Sequence, residues 1–121
     1  MLKKEYNYER NLFLRSEVVK MYKILLCCVS GVTTNKLVKA VKESAKQKDI
    51  KVMCWAVGSK SVGLSWADAD CVLLAPQSAS ELSKFEEMVH GVIPCALINE
   101  SDFVEMNGEA VLNQALDLIK K

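Results

Sequence analysis

The chain has 121 residues, 50% of them hydrophobic, and a formal net charge of +1. That length holds one domain with one core, and the charge balance lacks the dominant basic field that nucleic-acid binding requires. No apolar run approaches the roughly 20 residues of a membrane span, and the stretch from Lys3 to Arg10 has no continuous apolar segment of the secretory-leader kind, so a cytoplasmic location without membrane insertion is expected.

Residues 1–20 are mixed polar and charged, with one apolar patch at Leu12, Phe13 and Leu14. They read as an N-terminal extension, helical over 9–20 or disordered, ahead of a domain spanning 21–121. The domain opens on Ile24-Leu25-Leu26-Cys27-Cys28, a short continuous apolar run of the kind a doubly buried strand shows. Val29 to Thr33 form a small-residue loop around Gly31. A helix is predicted over 34–47, where Leu37, Val38, Val41 and Ala45 recur at helical spacing. Asp49 marks a turn, and Ile50 to Val57 reads as a second strand. Gly58 to Trp66 is looser and reads as a short helix or loop.

Asp70 precedes a third strand, Cys71 to Ala75, which Pro76 stops. Ser78 or Ser80 is then expected to cap a helix of about ten residues, with Glu81 in its first turn, an apolar stripe at Leu82, Phe85, Met88 and Val89, and Gly91 at its end. A fourth strand is read over Ile93 to Ile98, with Pro94 tolerated near its start or at a sheet edge. Asn99 to Asn107 reads as a connection. A last helix runs over Glu109 to Lys121 with Val111, Leu112, Ala115, Leu116 and Ile119 on one face.

Strands alternating with helices imply right-handed crossovers and a parallel sheet covered on both faces, a doubly wound α/β domain. Ligands bind such sheets beyond the carboxyl ends of the strands. That rule points to three loops, 28–34, 58–66 and 76–80.

Five cysteines stand at positions 27, 28, 54, 71 and 95, with no Cys-x-x-Cys and a single distant histidine, His90. This is neither a disulfide framework nor a metal-ligand spacing, and no metal or cofactor is expected. Cys54, Cys71 and Cys95 fall inside apolar strands and read as buried small hydrophobes. Cys28 closes the first strand and opens the loop.

In Cys28-Val29-Ser30-Gly31-Val32-Thr33-Thr34, Gly31 lets the backbone turn sharply. Successive N–H groups can then converge as an anion-binding nest, reinforced by the following helix N-terminus and by the hydroxyls of Ser30, Thr33 and Thr34. Such a field favours the anionic, nucleophilic form of a thiol held in it. A nucleophilic sulfur in a phosphate-sized cradle points to phosphoryl transfer through a phosphocysteine. The plain structural alternative is a strand-end cysteine before an ordinary helix capped by Thr33 or Thr34. Low-molecular-weight tyrosine phosphatases share this setting but clamp phosphate with an arginine six positions after the cysteine. Here that position is Thr34, and no arginine follows Arg15.

From Lys23 onward the chain resembles the enzyme IIB components of the sugar phosphotransferase system, lactose/cellobiose type. The matching pieces are the first strand and Ser30-Gly31-Val32-Thr33-Thr34, then Leu37-Val38 and Ala69-Asp70-Cys71-Val72-Leu73-Leu74-Ala75-Pro76-Gln77. Pro94 before an apolar strand and Asn107-Gly108 before the last helix complete them. The resemblance implies a flavodoxin-like sandwich with sheet order 2-1-3-4. It aligns Cys28 with the phosphorylated cysteine and Val29 to Thr34 with the phosphate loop. It also implies a phosphohistidine donor on enzyme IIA and a sugar acceptor held by membrane enzyme IIC, so that the domain works at the inner face of the membrane. Gln77 is a possible contact to the phosphoryl group or a partner. Lys36 reads as an exposed lysine, Asp70 as a local cap or pairing residue, His90 as a helix-end residue, and Trp55 and Trp66 as packing residues. By strand alternation Cys27 faces away from Cys28 and belongs to the core. Two further readings are carried. One is a non-catalytic regulatory or interaction module that keeps the fold. The other is a redox pair at Cys27 and Cys28, which the strain of an adjacent-residue disulfide in mid-strand disfavours.

Overall fold

The computed structural model describes residues 21–28 and 32–120, with the backbone only for Val32, Thr33 and Leu64. The extension over 1–20 lies outside the described residues. The first strand, β1, runs Tyr22–Cys28, followed by α1, Val32–Gln47, and β2, Val52–Gly58. A 3-10 turn at Ser59–Ser61, a short α2 at Val62–Ser65 and a second 3-10 turn at Trp66–Asp68 lead into β3, Cys71–Leu74. A 3-10 segment, Pro76–Glu81, joins β3 to α3, Leu82–Met88; then come β4, Cys95–Leu97, α4, Glu100–Val104, and α5, Gly108–Lys120.

The four strands are all parallel, in the order β2-β1-β3-β4. This is the 2-1-3-4 flavodoxin-like order expected above. The chain leaves β1 through α1 to β2 on one side, then returns across to β3 on the other. The crevice between β1 and β3 is therefore the topological switch point, where such sheets bind ligands. The register pairs Cys28 with Gly58, and Cys27 with both Val57 and Leu74.

Side-chain alternation along β1 builds two cores. Ile24, Leu26 and Cys28 pack with Leu37, Val41, Leu73 and Leu112 under α1 and α5. Leu25 and Cys27 pack with Val62, Val72, Leu74 and Phe85 on the other face. Trp55 and Trp66 pack against this second core, as packing residues should. Helices α1 and α5 touch closely at Gly108: a Cβ there would come within 2.2 Å of the Ala40 carbonyl oxygen. At the amino end of the sheet, Asp70 pairs with the Lys23 backbone twice. Its Oδ2 accepts from the Lys23 N–H at 2.8 Å, and its own N–H donates to the Lys23 carbonyl at 2.7 Å. Asp49, His90 and Met106 adopt left-handed φ values of 58°, 52° and 53°, each just past a helix end.

Several boundaries differ from the sequence expectation; β2 begins at Val52 rather than Ile50, β3 ends at Leu74 rather than Ala75, and α5 begins at Gly108 rather than Glu109. The first helix starts two residues earlier, at Val32. Neither Ser78 nor Ser80 caps a helix: Pro76 starts a 3-10 turn at once, and α3 is a seven-residue helix whose N-cap, Glu81, makes no side-chain cap bond. Its carboxylate instead accepts from Ser59 Oγ at 2.7 Å. The helix stops at Met88, and His90 and Gly91 both turn left-handed beyond it. The fourth strand shortens to Cys95–Leu97 because Pro94 has no N–H, although the Pro94 carbonyl and the Ile98 N–H still bond to β3. The connection after it contains α4, capped by Asn99, whose Oδ1 accepts from the N–H groups of Ser101 and Asp102.

Candidate functional site

Cys28 is the last residue of β1, at the carboxyl end of an inner strand, and is 5% exposed. Its thiol lies on the α1/α5 side, packed among the core that Ala75 and Leu37 also join. Ala75 follows β3, and its N–H donates to the Cys27 carbonyl at 2.8 Å. The chain past β3 therefore runs directly beside the strand end that carries Cys28.

The five thiols are all free. Burial pushes Cys54 and Cys71 up to about 12. Burial likewise pushes Cys95 up to about 11. Cys27 also rises to about 11, chiefly through burial, with a Ser59 hydrogen bond pulling back and the Glu81 carboxylate adding to the rise. These four are held as neutral thiols near pH 7 and serve packing, as the alternation argument required of Cys27. The two faces of β1 also keep Cys27 and Cys28 apart, which removes the geometric basis for a redox pair.

Of the loop residues read as a phosphate cradle, Val29, Ser30 and Gly31 lie outside the described residues. Val32 and Thr33 form the first turn of α1, and Thr34 is fully buried beside them. The segment thus brings the N-terminus of a 16-residue helix to the end of β1, which favours an anion there. Gln77 is exposed and borders a cavity of about 230 Å³ with Pro76, Glu100 and Phe103. A larger hollow of about 710 Å³ opens between Ser59, Lys60, Glu81, Lys84 and Met88, on the other side of the strand ends. Lys36 is exposed on α1, and His90 is exposed beyond α3. Among the described residues, no three His, Cys, Asp or Glu side chains gather where a metal ion could sit, and no helix is long and apolar enough to cross a membrane.

Two features of this region escaped the sequence reading. One is the Ser59–Glu81 hydrogen bond that ties the loop after β2 to the start of α3. The other is Ser78, which turns inward where Gln77 and Ser80 face out. Neither leaves a periodic signal, because both depend on which loops the sheet order brings together.

Fold and strand-end cysteine together define a class: a doubly wound α/β domain that presents a thiol at its switch point. Sequence comparison gives the class its family. The family described as "PTS system, Lactose/Cellobiose specific IIB subunit" matches residues 23–114. The "PTS system oligo-beta-mannoside-specific EIIB component" of Bacillus subtilis (strain 168) is 34% identical over 102 residues, covering 82% of this chain and 97% of that protein. The solution structure of the cellobiose-specific phosphotransferase IIB component protein of Borrelia burgdorferi superposes with a TM-score of 0.71 at 34% identity, over 84% of this chain and 94% of the other. The lactose-specific IIB component domain of the phosphotransferase system from Streptococcus pneumoniae has a TM-score of 0.74 at 19% identity, over 82% and 98%, a likeness of fold. The chain belongs to the lactose/cellobiose-specific IIB subunits of the sugar phosphotransferase system.

Proposed function

We propose that this chain is a phosphoryl carrier whose nucleophile is Cys28. The Cys28 sulfur attacks the phosphorus of a phosphohistidine on enzyme IIA; the S–P bond forms as the N–P bond breaks, and the electron pair returns to the imidazole. A hydroxyl of the sugar held by enzyme IIC then attacks the same phosphorus and releases its proton to solvent; the O–P bond forms as the S–P bond breaks, and the thiolate is restored. Val29 to Thr34 supply backbone and hydroxyl donors to the transferring oxygens, as anion stabilisation at a helix N-terminus requires. Gln77, exposed beside the strand end, is a contact for the phosphoryl group or a partner surface. The domain works at the cytoplasmic face of the membrane through IIC.

The observation that carries this reading is the position of one thiol. Cys28 ends an inner strand at the switch point, whereas Cys71 and Cys95 begin their strands at the opposite end of the sheet, Cys54 lies within β2, and Cys27 packs in the core of the other face. Intact-mass measurement after incubation with phosphoenolpyruvate, the general relay proteins and a matching IIA tests it. Wild type should gain one phosphoryl group and Cys28→Ser none. Labelling that survives in Cys28→Ser would move the site elsewhere, and no gain by wild type with several donors would favour a non-catalytic module.

A further inference from the structure

We propose that Ser78 donates a hydrogen bond to the phosphoryl group carried on Cys28, closing the β1–β3 crevice from the β3 side. The proposal rests on the carrier reading above and adds to it a residue that lies outside the loop following β1.

Ser78 is 1% exposed, and its Oγ is the one buried side-chain nitrogen or oxygen among the described residues that has no hydrogen-bond partner. A buried hydroxyl left unpaired has lost its water and gained nothing in return, so each such group in a folded protein needs an account. Packing gives none, since an alanine would fill nearly the same space without the cost. A partner that arrives only in one state of the protein does give one.

The position of Ser78 fits that partner. The Ala75 N–H holds the chain to the Cys27 carbonyl at 2.8 Å, and the Ser78 N–H closes one turn onto the Ala75 carbonyl at 2.9 Å. Ser78 thus sits one turn beyond the residue that flanks Cys28, at the switch point of the sheet. Its backbone, at φ −97° and ψ 15°, departs from the helical turns on either side. At this kink Ser78 is buried while Gln77, Ala79 and Ser80 are exposed. The Glu81 carboxylate accepts from Ser59 and makes no hydrogen bond with the Ser78 hydroxyl.

The chemistry needs one donor and no proton transfer. As Cys28 attacks phosphorus, charge spreads over the three equatorial oxygens, and a hydroxyl fixed beside them stabilises that charge without reorganising. Ser78 keeps its proton throughout.

The test compares wild type with Ser78→Ala in the full chain, by the rate of phosphocysteine formation from phosphorylated IIA at increasing donor concentration, and by thermal unfolding of the unphosphorylated protein. Loss of a hydrogen bond to a charged group should slow acceptance at saturating donor by about ten- to a hundred-fold. The donor concentration for half-maximal rate should not move, because Ser78 touches the phosphoryl group and not the partner. The unfolding temperature should stay level or rise, since an orphaned hydroxyl has been removed. Acceptance at the wild-type rate would overturn the proposal, as would a slowed rate accompanied by a lowered unfolding temperature, the mark of a structural hydroxyl. If wild type itself stays unlabelled, the carrier reading falls and this proposal with it; a labelled wild type with an equally fast Ser78→Ala removes Ser78 alone.

Discussion

The two faces of the sheet are built by different means. On one, α1 and α5 are long, regular helices of 16 and 13 residues packed against each other and the strands. On the other, the cover is pieced together from two 3-10 turns, the four-residue α2 and the seven-residue α3. Two consecutive residues of β1 divide between them. Cys28 falls on the regular face, at the N-terminus of α1, and Cys27 on the pieced face against Phe85 and Val62. The same side chain thus becomes a candidate nucleophile in one place and packing material in the next. Strand alternation makes that choice, together with what each face sets above the strand end.

The sharpest test of the contrast exchanges the two cysteines' fates. Cys28→Ser should lose all phosphoryl acceptance and keep its fold. Cys27→Ala should accept at near the wild-type rate and lose about 1 kcal/mol of stability in urea titration. Acceptance lost in both variants would show that the faces are not chemically separate.

The regular face should be the less forgiving to volume. A Cβ at Gly108 would meet the Ala40 backbone at 2.2 Å, where no side chain can move aside. Gly108→Ala is expected to cost about 2–3 kcal/mol by pushing α5 off α1. A urea midpoint within error of wild type would mean that the helices slide without penalty.

Alkaline pH should expose the buried thiols. Cys54 and Cys71 ionise near 9.0 when unfolded but at about 12 when folded. Between those values the unfolded chain holds fewer protons than the folded one. Their contribution is therefore intact below pH 9 and is lost as pH rises towards 12, by at most about 1.4 kcal/mol per pH unit for each thiol. Urea midpoints at pH 8, 9 and 10 should fall progressively, and Cys71→Ala should flatten the decline. An unchanged slope in that variant would remove the thiols as its cause.

The smallest effect is expected at α4. Asn99→Ala removes the acceptor for the Ser101 and Asp102 N–H groups and should cost about 1 kcal/mol, seen as a slightly lower unfolding temperature. Phosphoryl acceptance should not change, and a matching loss of acceptance would tie α4 to the site.

The regular face was also the more legible in sequence. Leu37, Val38, Val41 and Ala45, and Val111, Leu112, Ala115 and Leu116, repeat over whole helices, and β1 is a solid apolar run, so those elements could be anticipated from the residues, while the sheet order came with the family resemblance. Short pieces carry too few repeats. Only Phe103 is buried in α4, and its signal was the cap itself, Asn99 with Glu100 and Asp102 in the first turn. Ser78 and Ser80 look like helix caps in sequence, but Pro76 had already begun a tighter turn. Cys28 could be singled out because its place at a strand end is a local fact. That Ser78 lies buried one turn beyond Ala75, the residue bonded to the Cys27 carbonyl, could not, since only the crossing of β3 next to β1 brings those segments together.

The left-handed residues at Asp49, His90 and Met106 bear on how much mutational change this domain can absorb. Each holds a side chain in a conformation that costs an L-amino acid about 1–2 kcal/mol and that glycine adopts freely. The fold therefore carries strain at three helix ends remote in sequence from Cys28. Glycine at any of them is a reserve of stability that could offset substitutions around the phosphoryl site without touching it.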